Sequence, residues 1–433
     1  MTALTLHRAR LVFPVHRPPI ADGAVAVRGG RIVDVGPHDE LVARFRDEDV
    51  VREEWAGILT PGLVNAHTHL QYTGMASVGE GAYTGFEDWS AAFQAVYEQP
   101  HDWAASAAAG AAALLRHGTT AAADVVTDPV AGSALHDAGL HGIAFWEVFG
   151  WKTPRWRAQG EARVRAELAA IPTPPATGIS PHAVYSLDRE VLREVAELAR
   201  TLGLRQHIHA AESAFEDDYT RDGTGALAEH WRVRGHGDLE LLAGGGSGLG
   251  AIAYLDSVGA LAPETHLAHG VYVDADDRAL LRARGVAVSL CPRSNAVIGL
   301  DAAPVAAYLR ERSPVAVGTD SLASSPSLDV RDDLAALLGI ARAQGYREAD
   351  LHARLLHTAT AGGAYALGLD RGSAPAGTLA PGSVADLAVF AVDATDPREA
   401  LAAFVEDVAS TPAVATIVDG VAHTSSRENT DVL

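Results

Sequence analysis

The stretch Gly57-Ile58-Leu59-Thr60-Pro61-Gly62-Leu63-Val64-Asn65-Ala66-His67-Thr68-His69 passes from apolar residues into two histidines separated by one threonine. An apolar run of that length suits a buried strand over 59–66, and side chains two apart on a strand project from one face. His67 and His69 can therefore offer both imidazoles to a single metal from one rigid element. Three more short apolar runs close on similar phrases: Gln206-His207-Ile208-His209-Ala210-Ala211-Glu212, Leu267-Ala268-His269-Gly270, and Gly318-Thr319-Asp320-Ser321.

These phrases fall within a middle region that alternates strands and helices, the pattern of a parallel α/β fold. Strands are predicted near 59–66, 119–126, 141–148, 177–182, 205–210, 264–269, 285–291 and 314–319, with helices over 104–116, 189–202, 275–284 and 302–310. Eight such units predict a (β/α)8 TIM barrel over 59–375, whose chemistry sits at the C-terminal ends of its strands. Every ligand phrase falls at such an end. The two ends of the chain read differently. Ala24 to Val27, then Gly29-Gly30, then Arg31 to Val35 signal a hairpin, and short strand-like runs return after Gly382 and around Ile417. One small β-sandwich built from both termini, 1–58 and 376–433, is the expected second domain.

Bulk properties narrow the function. The 433 residues suit a barrel of about 250 residues plus a smaller module. A net charge of −21 opposes binding to nucleic acid or an anionic membrane. Cys291 is the only cysteine, so no intrachain disulfide can form, and its apolar setting reads as packing. The start of the chain lacks a signal-peptide h-region, and the Ala-rich run at 104–115 is too short to span a bilayer. The expectation is a cytoplasmic enzyme acting on a small molecule, for which a homo-oligomer is compatible.

Residue chemistry sharpens this into a metal site. His67, His69 and His209 supply nitrogens and Asp320 a carboxylate; His207, on the same face as His209, is the alternative third nitrogen. One divalent metal so held, Zn²⁺ first and Fe²⁺ or Mn²⁺ as alternatives, can lower the pKa of a bound water toward ~7. A second metal needs a bridging anion such as a carbamylated lysine. Lys152, the only lysine, lies away from the fourth strand, so a single metal is expected. Glu212 stands beyond the metal as a proton carrier, or else caps the following helix. His269 either polarises the attacked group or is a satisfied core histidine. Asp320 doubles as base. The long interval 213–263 is either a lid or a solvated linker.

Together these residues resemble the amidohydrolase superfamily, in particular its cytosine/adenine-deaminase-like branch. The likeness spans nearly the whole chain, from Gly57–His69 through His209-Ala210-Ala211-Glu212 to Gly377–Leu387. It implies metal binding by His67, His69, His209 and Asp320, with proton transfer and orientation by Glu212 and His269. Ser180-Pro181-His182-Ala183-Val184-Tyr185-Ser186 is similar to an element of methylthioadenosine/S-adenosylhomocysteine deaminases whose histidine faces the nucleoside, with Val184 in place of a proline. Cys291-Pro292-Arg293-Ser294-Asn295 and Asp320-Ser321-Leu322-Ala323-Ser324 look closest to aminodeoxyfutalosine deaminases of menaquinone biosynthesis. Those enzymes take an adenine nucleoside bearing a benzoate, which a fixed cation would hold. Arg293 is the candidate, or else it pairs with a neighbouring acid to brace the rim. Trp89 and Tyr185 are candidates for stacking on purine or ribose, or for plain packing.

Overall fold

Parallel strands buried on both faces need continuous runs of small or branched apolar residues, and the middle of this chain supplies them. In a computed structural model describing residues 3–407 and 412–425, Thr119–Val126 is buried at every position. Eight strands form one parallel sheet in chain order: β5 (Leu63–Thr68), β6 (Thr119–Val126), β7 (His141–Val148), β8 (Thr177–Pro181), β9 (Gln206–Ala210), β10 (Thr265–His269), β11 (Ala287–Leu290) and β12 (Val315–Val317). Helices return the chain between them. One, Ala275–Arg284, starts on a reciprocal Asp274–Asp277 cap and stops at Gly285, where φ is 68°. This is the predicted (β/α)8 barrel.

The last strand joins the first through a side chain. Asn65, fully buried on β5, accepts from the Thr319 N–H at 3.1 Å and donates to Thr319 Oγ1 at 2.8 Å. One residue on, the Asp320 N–H donates to the His67 carbonyl at 3.0 Å. Gly318 permits this approach, since a Cβ there would lie 2.7 Å from the Cβ of His67.

The terminal strands are β1 (Leu4–Val12), β2 (Ile20–Arg28), β3 (Arg31–Pro37), β4 (Val50–Pro61), β13 (Leu387–Phe390), β14 (Ala415–Val418) and β15 (Val421–Ser425). They make one mixed sheet in the order β15-β14-β13-β4-β1-β2-β3. Val25, Ile32, Leu59, Leu387 and Ile417 share one core although β3 and β14 lie five strands apart, so the sheet curls over itself. The chain crossing to β13 stitches the fold shut, with Ile32 N–H to Ser383 O and Ala385 N–H to Gly30 O, both 2.9 Å. The sandwich expected from the sequence is thus a single sheet wrapped around its core. Residues 1–2, 408–411 and 426–433 of that module lie outside the described residues.

One boundary differs from expectation. β4 runs to Pro61, and the first barrel strand begins at Leu63 rather than 59. The apolar run through this junction hides the change of sheet; only Gly62 marks it, where a Cβ would strike Thr120 Oγ1 at 2.1 Å. Among the described residues, no helix is long and apolar enough to cross a membrane.

His141, opening β7, ties barrel to terminal sheet. Its Nε2 lies 3.4 Å from Asp386 Oδ1 and 3.5 Å from Asp419 Oδ2. The contact with Asp386 raises its pKa above the ordinary 6.5, against burial and the nearby Arg31. A raised folded pKa stabilises fully below the unfolded value, and the contribution fades as pH rises through the folded one. The Tm difference between wild type and His141→Leu should therefore be larger at pH 6 than at pH 9. A pH-independent difference would contradict a charged latch.

Candidate active site

Strand ends place the site. β5 delivers His67 and, one residue past its end, His69. β9 delivers His209, β10 ends on His269, and Asp320 follows β12. His69 Nε2 and His209 Nε2 are 3.2 Å apart, close to the ~3.3 Å expected of two nitrogens ~2.0 Å from one tetrahedral ion. Asp320 Oδ1 lies 3.5 Å from His67 Nε2 and 3.8 Å from His69 Nε2. Ligand atoms of His67, His69 and His209 fall within 4.8 Å of one another, as do those of His67, His269 and Asp320. Backbone strain accompanies this convergence: φ is +73° at His269 and +60° at Asp320.

Hydrogen bonds decide which nitrogens face the centre. His209 Nδ1 lies 3.2 Å from the His182 carbonyl, which can only accept, so Nδ1 carries the hydrogen and Nε2 a lone pair. His269 Nδ1 donates to Asn295 Oδ1 in the same way, at 3.2 Å. His67 Nε2 is buried with no hydrogen-bond partner. Burial holds His67 and His209 far below the ordinary imidazole pKa and His69 at about 4, so these rings are neutral ligands. Burial pushes Asp320 upward, yet it is held below the ordinary carboxylate value, and the hydroxyls of Ser294 and Ser324 donate to its Oδ2 at 2.7 and 2.9 Å. An orphaned imidazole nitrogen among neutral rings and one carboxylate fits a divalent metal of the zinc type. His207 does not compete for it, because its Nε2 faces His67 Nδ1 at 2.7 Å.

Glu212 stands beside this cluster, its Oε1 3.4 Å from His269 Nε2. Burial first, then the charges of Asp320 and Glu87, raise its pKa well above the usual carboxylate range. The turn that aims it is bracketed by Glu216, whose two oxygens accept the Ala211 and Glu212 N–H groups at 2.9 and 3.0 Å. Asp124 does the same for His69, accepting from Leu70 N–H at 2.8 Å and Thr68 Oγ1 at 3.3 Å on either side of it.

A cavity of about 510 Å³ opens over the cluster. His182, Tyr185 and Trp89, singled out in the sequence, all line it. Trp89 also donates to the Ala323 carbonyl at 2.9 Å. Arg293 does not line it. Its guanidinium bonds Ser327 Oγ at 2.9 Å and Asp332 at 3.1 Å, so it braces the rim and is not a substrate clamp. Arg155, Arg163 and Arg234 also line it, Arg163 paired with the lining Glu167. The interval 213–263 is helical, with Glu216–Asp222, Gly225–Val233, Glu240–Gly244 and Ala251–Ser257, and contributes Trp231 and Arg234 to the wall.

Sequence reading passed over Glu147, Glu216, Asp124 and Tyr72. Glu147 lines the cavity with one buried oxygen unpartnered, its pKa pushed up to about 8 by burial and by Asp320. An acid near the end of an apolar strand is the same signal that marked His209. Tyr72 stacks on His69, ring centres 5.3 Å apart.

A profile of the amidohydrolase family matches residues 58–422, and one of a bacterial imidazolonepropionase-like composite domain matches 23–47. A 5-methylthioadenosine/S-adenosylhomocysteine deaminase of Nitratidesulfovibrio vulgaris (strain DP4) is 31% identical over 367 residues, covering 81% of this chain and 76% of that protein. A zinc-bound adenosine deaminase from Xanthomonas campestris superposes with a TM-score of 0.78 at 25% identity, over 99% of this chain and 94% of that one. Helicobacter pylori aminofutalosine deaminase shares the fold, with a TM-score of 0.82 at 20% identity over 96% and 99%.

The Glu216 bracket is directly measurable. Glu216→Ala orphans two buried N–H groups and should cost about 1–3 kcal/mol for each in denaturant unfolding. Glu216→Gln, which keeps one acceptor, should lose less. Equal stability of all three proteins would refute the bracket.

Proposed function

Because this chain belongs to the amidohydrolase family, we propose that it is a metal-dependent hydrolytic deaminase of adenosine-like nucleosides, with 6-amino-6-deoxyfutalosine of menaquinone biosynthesis as first-choice substrate. The observation that carries the reading is Glu212. It is a buried carboxyl, 3.4 Å from His269, whose pKa burial raises, beside a cluster of three neutral imidazoles and an ionised aspartate.

His67, His69, His209 and Asp320 would hold the metal, which when bound supplies an acidified water at neutral pH. Asp320, the one ionised group of the cluster, is the base that takes up a proton from the attacking water. Glu212 gives its proton to the ring nitrogen next to the amino-bearing carbon, which makes that carbon electrophilic. Asp320 passes the proton it took from water to the amine, which departs as ammonia, and Glu212 recovers a proton from the new hydroxyl as that carbon becomes a carbonyl. His269, its Nδ1 fixed on Asn295, orients oxygen at the reacting carbon. Two carboxyls with pKa values driven in opposite directions thus divide the work of base and acid.

Recognition follows from the wall. Glu147 and His182 supply polar contacts near the cluster, and Tyr185, Trp89, Phe149 and Trp231 supply flat apolar surface. At the outer end Arg155 lies over Trp151, 4.5 Å from its ring centre, with Arg163 and Arg234 nearby. Arg163 is paired with Glu167, so Arg155 and Arg234 are the guanidinium groups that, on a chain of net charge −21, favour a substrate whose far end is anionic. A benzoate meets that description. S-Adenosylhomocysteine also carries a carboxylate and is the second reading, whereas adenosine and methylthioadenosine carry none.

Ammonia release across these nucleosides tests the reading. Glu212→Gln should keep its metal and lose about 10²–10⁴-fold in turnover; near-full activity would remove Glu212 from the reaction. Arg155→Ala combined with Arg234→Ala should raise KM for the benzoate-bearing nucleoside about 10–100-fold, the worth of a lost charged hydrogen bond. Adenosine turnover should barely change. Equal losses on both substrates would contradict an anionic subsite.

A further inference from the structure

Two imidazoles beneath the mouth take no part in the steps above. His207 on β9 and His266 on β10 are fully buried and stacked, ring centres 3.9 Å apart and planes inclined by 14°. Barrel interiors are normally filled by branched apolar side chains. Polar rings there must make hydrogen bonds to offset their desolvation.

Those bonds have a direction. His266 Nε2 lies 3.2 Å from the Ala66 carbonyl and His207 Nδ1 lies 3.2 Å from the His266 carbonyl. A carbonyl oxygen only accepts, so both nitrogens carry hydrogen. A neutral His207 ring then has a lone pair on Nε2, and that lone pair meets His67 Nδ1 at 2.7 Å. His67 must donate there, which puts its hydrogen on Nδ1 and leaves Nε2 bare. The bare nitrogen is the buried one with no partner in the chain, 3.5 Å from Asp320 Oδ1. His209 and His269 are set the same way by a carbonyl and an asparagine. For His67 the setting group is another imidazole, itself anchored to the backbone.

We propose that His207 is a positioning residue that fixes the metal-binding tautomer and ring angle of His67 through its hydrogen bond to Nδ1. The proposal rests on the reading of His67 as a metal ligand. Replacing His207 by an apolar residue would free His67 to carry its hydrogen on Nε2, where it blocks the metal, and to rotate. A glutamine can place its amide oxygen near the position of the lost Nε2 and accept the same bond.

The test is equilibrium competition for Zn²⁺ between the full-length protein and a chromogenic chelator, with thermal melts of each metal-free variant alongside. His207→Leu should weaken Zn²⁺ binding about 10–100-fold, the usual effect of losing a partner behind a metal-binding histidine. His207→Gln should restore most of that affinity. His266→Phe, which keeps the stacked ring, should bind within a few-fold of wild type. Unchanged affinity in His207→Leu overturns the proposal. So does a glutamine variant that folds yet binds as weakly as the leucine variant, or an equal loss in His266→Phe, since either would make the effect one of packing. Wild type that takes up no Zn²⁺ would instead refute the ligand reading of His67 itself, and the proposal with it.

Discussion

A closed barrel must join its last strand to its first, and here the join is one buried amide. Asn65 accepts from the Thr319 N–H and donates to the Thr319 hydroxyl. The two ends it clamps carry the two halves of the site: His67 and His69 lie two and four residues beyond Asn65, and Asp320 follows Thr319. Each bond adds only about 0.5–1.5 kcal/mol net, yet a buried amide left unpaired costs more than that gain, so the register is held firmly. The hydrogen bond from Asp320 N–H to the His67 carbonyl then brings the carboxylate to the imidazoles. Fold closure and site assembly are therefore the same event.

Around that seam the protein drives the pKa values of neighbouring carboxyls in opposite directions. Asp320 stays ionised because two hydroxyls and a backbone N–H donate to it. Glu212 is pushed the other way by burial and by the charges of Asp320 and Glu87. The Glu216 and Asp124 brackets spend buried carboxyls on holding catalytic turns rather than on chemistry. A buried carboxyl of this kind costs stability unless hydrogen-bonded, which is why each bracket accepts two N–H or O–H donors.

Much of this was legible in the chain. Eight apolar runs mark the strands because parallel strands buried on both faces leave little else to read; four of them close on the ligand phrases, and His67, His69, His209, Glu212, His269 and Asp320 do meet. Other features were not legible, for physical reasons. Gly62 lies inside an unbroken apolar run, so the change of sheet has no compositional edge. Glu216 begins an acidic stretch that looks solvated, and only the turn it folds back upon reveals its use. Arg293 sits at a strand end like the true site residues, but Asp332 and Ser327 in the following loop capture it. Arg155 and Arg163 come from a mostly polar helix, Thr153–Ala170, whose orientation over the mouth no local pattern encodes.

The outer arginines and the inner acid set different properties. The cluster defines a reaction, and the mouth selects what undergoes it. All of that presupposes a cation where the strand ends meet. Anomalous X-ray scattering from crystals grown with Zn²⁺ addresses this point most directly. The account expects one peak per chain, within ~2.0–2.2 Å of His67 Nε2, His69 Nε2, His209 Nε2 and an Asp320 oxygen. A peak elsewhere, or a fully ordered site with these four atoms bound to no metal, would contradict it.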